Sequence, residues 1–283
     1  MKLFAIETGN FKLDGGAMFG VIPKVMWQRV YPADENNLCN WAMRALLIDD
    51  GARKILIDNG LGDKLSPSFL RHYYLNGEAT LLSSLAKNGY QPEDITDVII
   101  THLHFDHCGG NTRLNEAGEV VATFKNAMYH VSKTQWDWAL NPTNREKPSL
   151  MEDNFMPLYK NNQLNFVENE GEILPKIFVK FFNGHTEGQL IPYIYIEPNK
   201  LLVYGADLMP AAAHVPLSWV MAYDVRPLQT FADKERLYSD LLPLNSAIFF
   251  EHDIYNECCS IEKTEKGVKV KKTFTLNDFV NSI

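Results

Sequence analysis

Between residues 101 and 110 the chain reads Thr-His-Leu-His-Phe-Asp-His-Cys-Gly-Gly, which puts His102, His104, Asp106 and His107 in one short run. Imidazole and carboxylate are the ligands expected for Zn²⁺ and similar borderline cations. On an extended backbone alternate side chains share a face, so His102, His104 and Asp106 can converge on one point before the chain turns at His107. Gly109 and Gly110 then tolerate close backbone packing. A lone histidine is more often a surface or core residue than a ligand. Three in so short a run, aligned without metal, would repel when protonated and need partners when buried. The chemistry expected of this segment is metal binding.

Side chains of this kind need rigid elements to aim them. Asp97–Ile100 reads as a short apolar strand running straight into the cluster. Leu3–Thr8 is the first strand candidate, followed by a Gly-bearing loop, Asp14–Lys24, and an irregular stretch to about Asn40. Arg44–Asp49 and Lys54–Asp58 flank the turn Asp50-Gly51, a hairpin signal. Thr80–Asn88 has helical spacing and stops at Gly89. Ala127–Val131 is a strand, and the helix after it opens at Ser132, whose side chain can cap it. Asn141–Asn165 reads as a helix with loops at its sides. Farther on, Ile177–Asn183, Leu190–Ile196 and Leu201–Tyr204 look like strands and Leu228–Leu242 like a helix. Ser246–Phe250 and Val268–Thr275 are late strands before a short C-terminal helix. Strands and helices interleave twice with no linker between, so a single layered α/β domain over residues 1–283 is expected.

Composition narrows the partners. The chain has 283 residues, 46% hydrophobic and 22% charged, with a net charge of −8. That acidity repels phosphate backbones, so no nucleic-acid partner is expected. Neither a signal peptide nor an apolar run of the roughly 20 residues needed to span a bilayer is visible, so no membrane partner is expected. The cysteines, Cys39, Cys108, Cys258 and Cys259, form no CxxC pair, which fits a reducing, cytoplasmic setting.

The run from His102 to His107 has the HxHxDH form of the metallo-β-lactamase superfamily, and the resemblance continues down the chain. Asn183-Gly-His-Thr-Glu-Gly188 resembles that family's GHTxG turn. Tyr204-Gly-Ala-Asp207 is similar to its strand-end element with a bridging Asp, and Phe250-Glu-His-Asp253 to its final strand-end histidine. Five of the eight histidines fall on motif positions in the family's order. The resemblance implies an αβ/βα four-layer sandwich, two β-sheets with helices outside. It implies two divalent metal ions per chain, zinc first, with manganese, iron or cobalt as alternatives. His102, His104 and His185 would hold one ion; Asp106, His107 and His252 would hold the other; Asp207 would bridge both. Two ions about 3.5–4 Å apart can share a hydroxide and polarise the substrate oxygen. Asp207 can then move the proton from the attacking hydroxide to the leaving group.

Ligand identity discriminates within the superfamily. True metallo-β-lactamases are exported and lack a bridging Asp, and flavodiiron members have Glu where His104 stands. RNA-processing members need a basic surface or an appended domain, and neither is visible. Glyoxalase II shares all seven ligands, but its C-terminal basic region is matched only weakly by Lys263, Lys266, Lys269, Lys271 and Lys272. Outside the ligands, Asp14–Lys24 and His214–Asp224 resemble stretches of the YtnP-type quorum-quenching lactonases, which open N-acyl-homoserine lactones. That resemblance implies an apolar acyl-chain channel lined by Met18, Phe19, Trp27, Trp219 and Met221. Pro210 stands where better-known lactonases carry a substrate-contacting Tyr, and Tyr223 on the adjacent loop is the candidate replacement.

Of the remaining histidines, His72 is expected at the surface, His130 on a strand, and His214 near Asp207; Cys108 is expected to pack. The expectation is a cytoplasmic dinuclear hydrolase that opens a lactone or ester, with Asp207, Asp106 and Tyr223 as candidate catalytic residues. Phosphotriester or thioester hydrolysis are alternatives on the same fold, and a non-catalytic metal-binding or sensing module is the alternative of another class. The oligomeric state is left open, a homodimer included.

Overall fold

A computed structural model describes residues 1–282. Two compact units make up the chain: Met1–Asn10 with Met43–Asn169, and Phe11–Ala42 with the chain from Glu170 onward.

The first unit carries β1 (Lys2–Asp14) as far as Asn10, β2 (Leu38–Asp49) from Met43, β3 (Lys54–Ile57), β4 (Asp97–Ile99), β5 (Thr112–Leu114), β6 (Val120–Ala122), β7 (Met128–Ser132) and β8 (Leu164–Val167). Six of these form one sheet in the order β1-β2-β3-β4-β7-β8, while β5 and β6 pair separately. β2 and β3 are the expected hairpin, with Asp49 opposite Lys54. Asp50 accepts from the amides of Ala52 and Arg53 to close its turn, as a short Asp side chain does. From β3 onward the pairs β3–β4, β4–β7 and β7–β8 are parallel. Parallel strands are covered on both faces and read as continuous apolar runs. Ile55, Leu56, Ile57, Val98 and Ile99 are accordingly fully buried.

Helices cover that sheet. Leu81–Lys87 starts with a reciprocal capping box between Thr80 and Ser83. Lys133–Leu140 is capped by Ser132, whose hydroxyl accepts from the Gln135 amide. Leu85 and Trp136 from these helices join Leu56, Val98, Tyr129 and Val131 in one apolar cluster. Each such aliphatic side chain contributes about 1.5–3 kcal/mol when taken from water.

The second unit carries β9 (Gly171–Leu174), β10 (Ile177–Phe182), β11 (Gln189–Glu197), β12 (Lys200–Tyr204), β13 (Asn245–Phe249), β14 (Cys258–Thr264) and β15 (Gly267–Phe274). They form one sheet ordered β15-β14-β13-β12-β11-β10-β9. β10 and β12 each lie antiparallel to β11, and β13 lies parallel to β12. Thus β10, β12 and β13 all point the same way. The helix Pro227–Leu241 makes the crossover between β12 and β13, as a parallel pair requires.

Several expectations shift: β2 begins at Leu38, six residues before Arg44, and the short strands β5, β6, β8 and β9 were not expected. β1 runs six residues past Thr8, to Asp14. β14 was not anticipated: its segment, Cys-Cys-Ser-Ile-Glu-Lys-Thr, lacks alternation. Asn141–Asn165 holds short 3₁₀ turns, one helix of five residues, Met156–Lys160, and the first residues of β8, since Pro148 and Pro157 interrupt any longer helix.

All four cysteines are free and buried. Burial pushes the Cys39 and Cys108 thiols up to about 12. Among the described residues no helix is long and apolar enough to cross a membrane.

Candidate functional site

In the first unit the parallel pair β3–β4 ends at one edge, which sets Asp58 beside the histidine run. The Asp58 amide donates to Ile99 O at 3.0 Å. Its carboxylate accepts from the Thr101 amide (2.8 Å), the Thr101 hydroxyl (2.6 Å) and His107 Nδ1 (3.1 Å). Past His104 the chain is not extended, as alternation had suggested. Phe105–Cys108 is a turn of helix with His104 as its cap, so Asp106 and His107 are delivered by helical geometry. Gly109 allows the turn to pack: a Cβ there would lie 2.1 Å from Leu61 O.

The hydrogen bonds fix which nitrogen each ring presents. Thr101 Oγ1 gives its proton to Asp58 and so accepts from His102 Nδ1, 3.0 Å away. His104 Nε2 donates to Glu146 Oε1 at 2.9 Å, and the other Glu146 oxygen accepts from the Trp138 indole at 2.6 Å. Those tautomers leave His102 Nε2 and His104 Nδ1 with their lone pairs facing each other at 3.0 Å. Two lone pairs at that distance repel, and a proton or a cation between them would relieve it. His107, with Nδ1 on Asp58, turns Nε2 toward Asp106 Oδ2 at 3.8 Å.

In the second unit β10, β12 and β13 end on the same side and carry His185, Asp207 and His252 just beyond their carboxyl ends. The Gly205 amide ties the β12 end to Phe249 O at 2.8 Å. Asp207 divides its carboxylate between two rings, Oδ2 lying 3.0 Å from His185 Nε2 and Oδ1 3.1 Å from His252 Nε2. Each ring is anchored by its far nitrogen: His185 Nδ1 to Asp224 Oδ1 at 3.1 Å, His252 Nδ1 to Ala42 O at 2.8 Å. Outer partners of this kind orient metal-binding imidazoles. Burial opposes protonation of His185, but Asp207 and Asp224 outweigh it and raise its pKa to about 10. The carboxylates are collected to hold positive charge. Donor type and orientation in both units therefore fit divalent cations.

Asp224 is itself fixed. Its second oxygen accepts from Thr230 Oγ1 at 2.9 Å, and the amides of Val225 and Arg226 donate to His185 O and Gly184 O. Lys234, 1% exposed, donates to the carbonyls of His214, Pro216, Leu217 and Trp219 and so ties down the segment that leads to Asp224.

The structure thus gathers His102, His104, Asp106 and His107 in one unit, and His185, Asp207 and His252 in the other. Tyr223 is 42% exposed, immediately before Asp224. Pro210 is buried, its carbonyl accepting from the His252 amide at 3.2 Å. His72 is exposed and His130 lies buried on β7. His214 is a packing residue: Nε2 donates to Met18 O at 2.8 Å and the ring stacks on Phe19. Four of the five residues expected to line an acyl channel are packed in the interior, while Trp219 is partly exposed. Met18, Phe19, Trp27 and Met221 are all at most 3% exposed, with Phe19 stacked on Trp27 and edge-on to Trp219. They form core because each aromatic face meets another ring. Asp58, Glu146, Asp224 and Lys234 escaped the sequence reading; only Asp224, in a stretch already singled out, carried any signal.

The chain matches the model of the metallo-beta-lactamase superfamily over residues 44–234. It is 24% identical over 272 residues to the N-acyl homoserine lactonase AiiA of Bacillus thuringiensis subsp. kurstaki, covering 90% of this chain and 94% of that one. Among solved structures it resembles a probable metal-dependent hydrolase from Staphylococcus aureus, at 32% identity and TM-score 0.87 over 97% of this chain and 96% of that one. The fold is also that of AidC, a dizinc quorum-quenching lactonase: 20% identity, TM-score 0.78, 96% and 95% covered.

Proposed function

Since the chain belongs to the metallo-beta-lactamase superfamily and is a metal-dependent hydrolase, we propose that it opens the lactone ring of N-acyl-homoserine lactones. The observation that carries the reading is the Asp207 carboxylate, which offers one oxygen beside His185 and the other beside His252. In this reading His102, His104, His185 and Asp207 would hold one divalent cation, and Asp106, His107 and His252 a second. When bound, such cations lower the pKa of water towards 7 and polarise an ester carbonyl. Asp207 accepts the proton of the attacking water and returns it to the departing alkoxide. Asp106 acts as a ligand, and Tyr223 orients the lactone carbonyl by donating its phenol. Relatives named N-acyl homoserine lactonase support the substrate class.

The test compares kcat/KM of the zinc-reconstituted chain for medium-chain homoserine lactones and for paraoxon-type triesters under one metal condition, with metal content measured alongside. About two metal ions per chain, faster lactone opening and loss of turnover on chelation are expected. A triester preferred by about tenfold or more, or metal content near zero after reconstitution with zinc, manganese or iron, overturns the reading.

A further inference from the structure

The helical turn Phe105–Cys108, which delivers Asp106 and His107, is too short to satisfy its own backbone. A helix leaves its last four carbonyls without partners of its own, and four residues are all this one has. The chain runs on as a 3₁₀ turn, Gly109–Asn111, whose residues are all buried. Buried carbonyls need partners from elsewhere.

The loop after β3 supplies them. The Asn59 amide donates to His107 O at 2.9 Å, and the Gly110 amide donates back to Gly60 O at 3.1 Å. The two segments approach so closely that a Cβ on Gly62 would lie 2.5 Å from Gly109 O. Just past that crossing the half-buried Lys64 reaches back. Its ammonium donates to Gly109 O at 2.6 Å and to Thr112 O at 3.0 Å. One cation thus spans the 3₁₀ turn, and bonds from a charged donor are roughly twice as strong as neutral ones. Farther along the same loop, Phe69 and Tyr73 each pack on Phe105 with ring centroids 5.2 Å apart. The loop therefore grips the turn at both ends.

We propose that Lys64 is a positioning residue for the hydrolysis: it fixes the turn that presents Asp106 and His107, and with it the second cation. This rests on the ligand set proposed above. His102 and His104 are fixed from other directions, by Thr101 and Glu146. Slack at Gly109 and Thr112 therefore reaches Asp106 and His107 first. Removing the ammonium should weaken one cation and spare the other, whereas a residue that only stabilises the fold would weaken both or neither.

The test titrates the metal-free full chain with Zn²⁺ against a chromogenic chelator, so that two binding steps are resolved. Asp106→Ala marks the step that belongs to the second cation. In Lys64→Met that step should weaken by about tenfold, the order of one hydrogen bond from a charged donor, while the other holds within about twofold. Hydrogen exchange of the metal-free chain gives a second readout: the Gly110 amide should exchange faster in the variant. Should Lys64→Met not fold, Lys64→Gln is read in its place, since it keeps an N–H donor without the charge. Equal weakening of both steps, no weakening of the marked step, or a Gly110 amide that exchanges no faster overturns the proposal. A wild-type chain that takes up no zinc is a different result: it overturns the ligand set, and this proposal with it.

Discussion

Glu146 and His104 are 42 residues apart in sequence and 2.9 Å apart in space, and the proton between them decides which face of the imidazole is left to bind a cation. Glu146→Gln keeps the shape but removes the charge and allows the amide to present NH₂ to the ring. Zinc affinity should fall about 10–100-fold, the usual effect of losing such an outer partner. Competition against a chromogenic chelator measures it, and unchanged affinity would show that the pair is only structural.

Asp207→Asn leaves volume in place while removing both the negative charge and the proton acceptor. Turnover should drop by about 10²–10⁴-fold, with near-normal circular dichroism and reduced metal content. A variant with wild-type rate and full metal would remove Asp207 from the mechanism.

Tyr223→Phe removes a hydroxyl from a side chain that is 42% exposed. Metal content and melting temperature should hold while lactone opening slows by about tenfold, equivalent to a hydrogen bond worth about 1.4 kcal/mol at the transition state. An unchanged rate would leave the position of Pro210 without a substitute.

Lys234→Met should destabilise the fold by about 1–3 kcal/mol, because removing a buried donor strands its carbonyl partners. Four carbonyls share that ammonium. Urea unfolding followed by tryptophan fluorescence reads the change. Turnover should fall with it, since the tethered segment leads directly to Asp224.

The pH dependence can be tested away from the metal ligands, at Asp49. Burial pushes this carboxyl up, but the Tyr90 hydroxyl, the Gly51 amide and Lys54 outweigh it and bring its pKa down to about 2. A carboxyl that is more acidic when folded stabilises above its unfolded value, about 3.9, and that contribution is lost as pH falls through about 2. Tyr90→Phe should therefore melt below wild type at pH 6, with the gap closing between about pH 4 and 2. A gap that stays constant across this range would mean the bond does not sense the Asp49 charge.

The candidate ligands could be picked out because their chemistry is local: the histidine run is contiguous, and the later motifs follow the ends of strong apolar strands. Thr80 and Ser132 announced their helices for the same reason, since a cap lies within three residues of the amide it serves. Glu146 and Asp224 were not legible. A single acid in a polar loop looks like a solvated charge until the fold carries it to an imidazole far away in sequence. The aromatics misled in the opposite sense, for an exposed apolar channel and a stacked core share one composition. Only packing separates them, as the ring contacts of Phe19 do.

The buried cysteines give the molecule an internal clock. Alkylating reagents attack thiolate, and burial keeps Cys39 and Cys108 both covered and protonated at neutral pH. The modification rate of each sulfur then reports how often its surroundings open. Cys108 reports on the turn that carries Asp106 and His107, whereas Cys258 and Cys259 report on β14. Mass spectrometry of partly labelled protein would resolve these openings separately, with no engineered probe, and show whether metal slows one before the other.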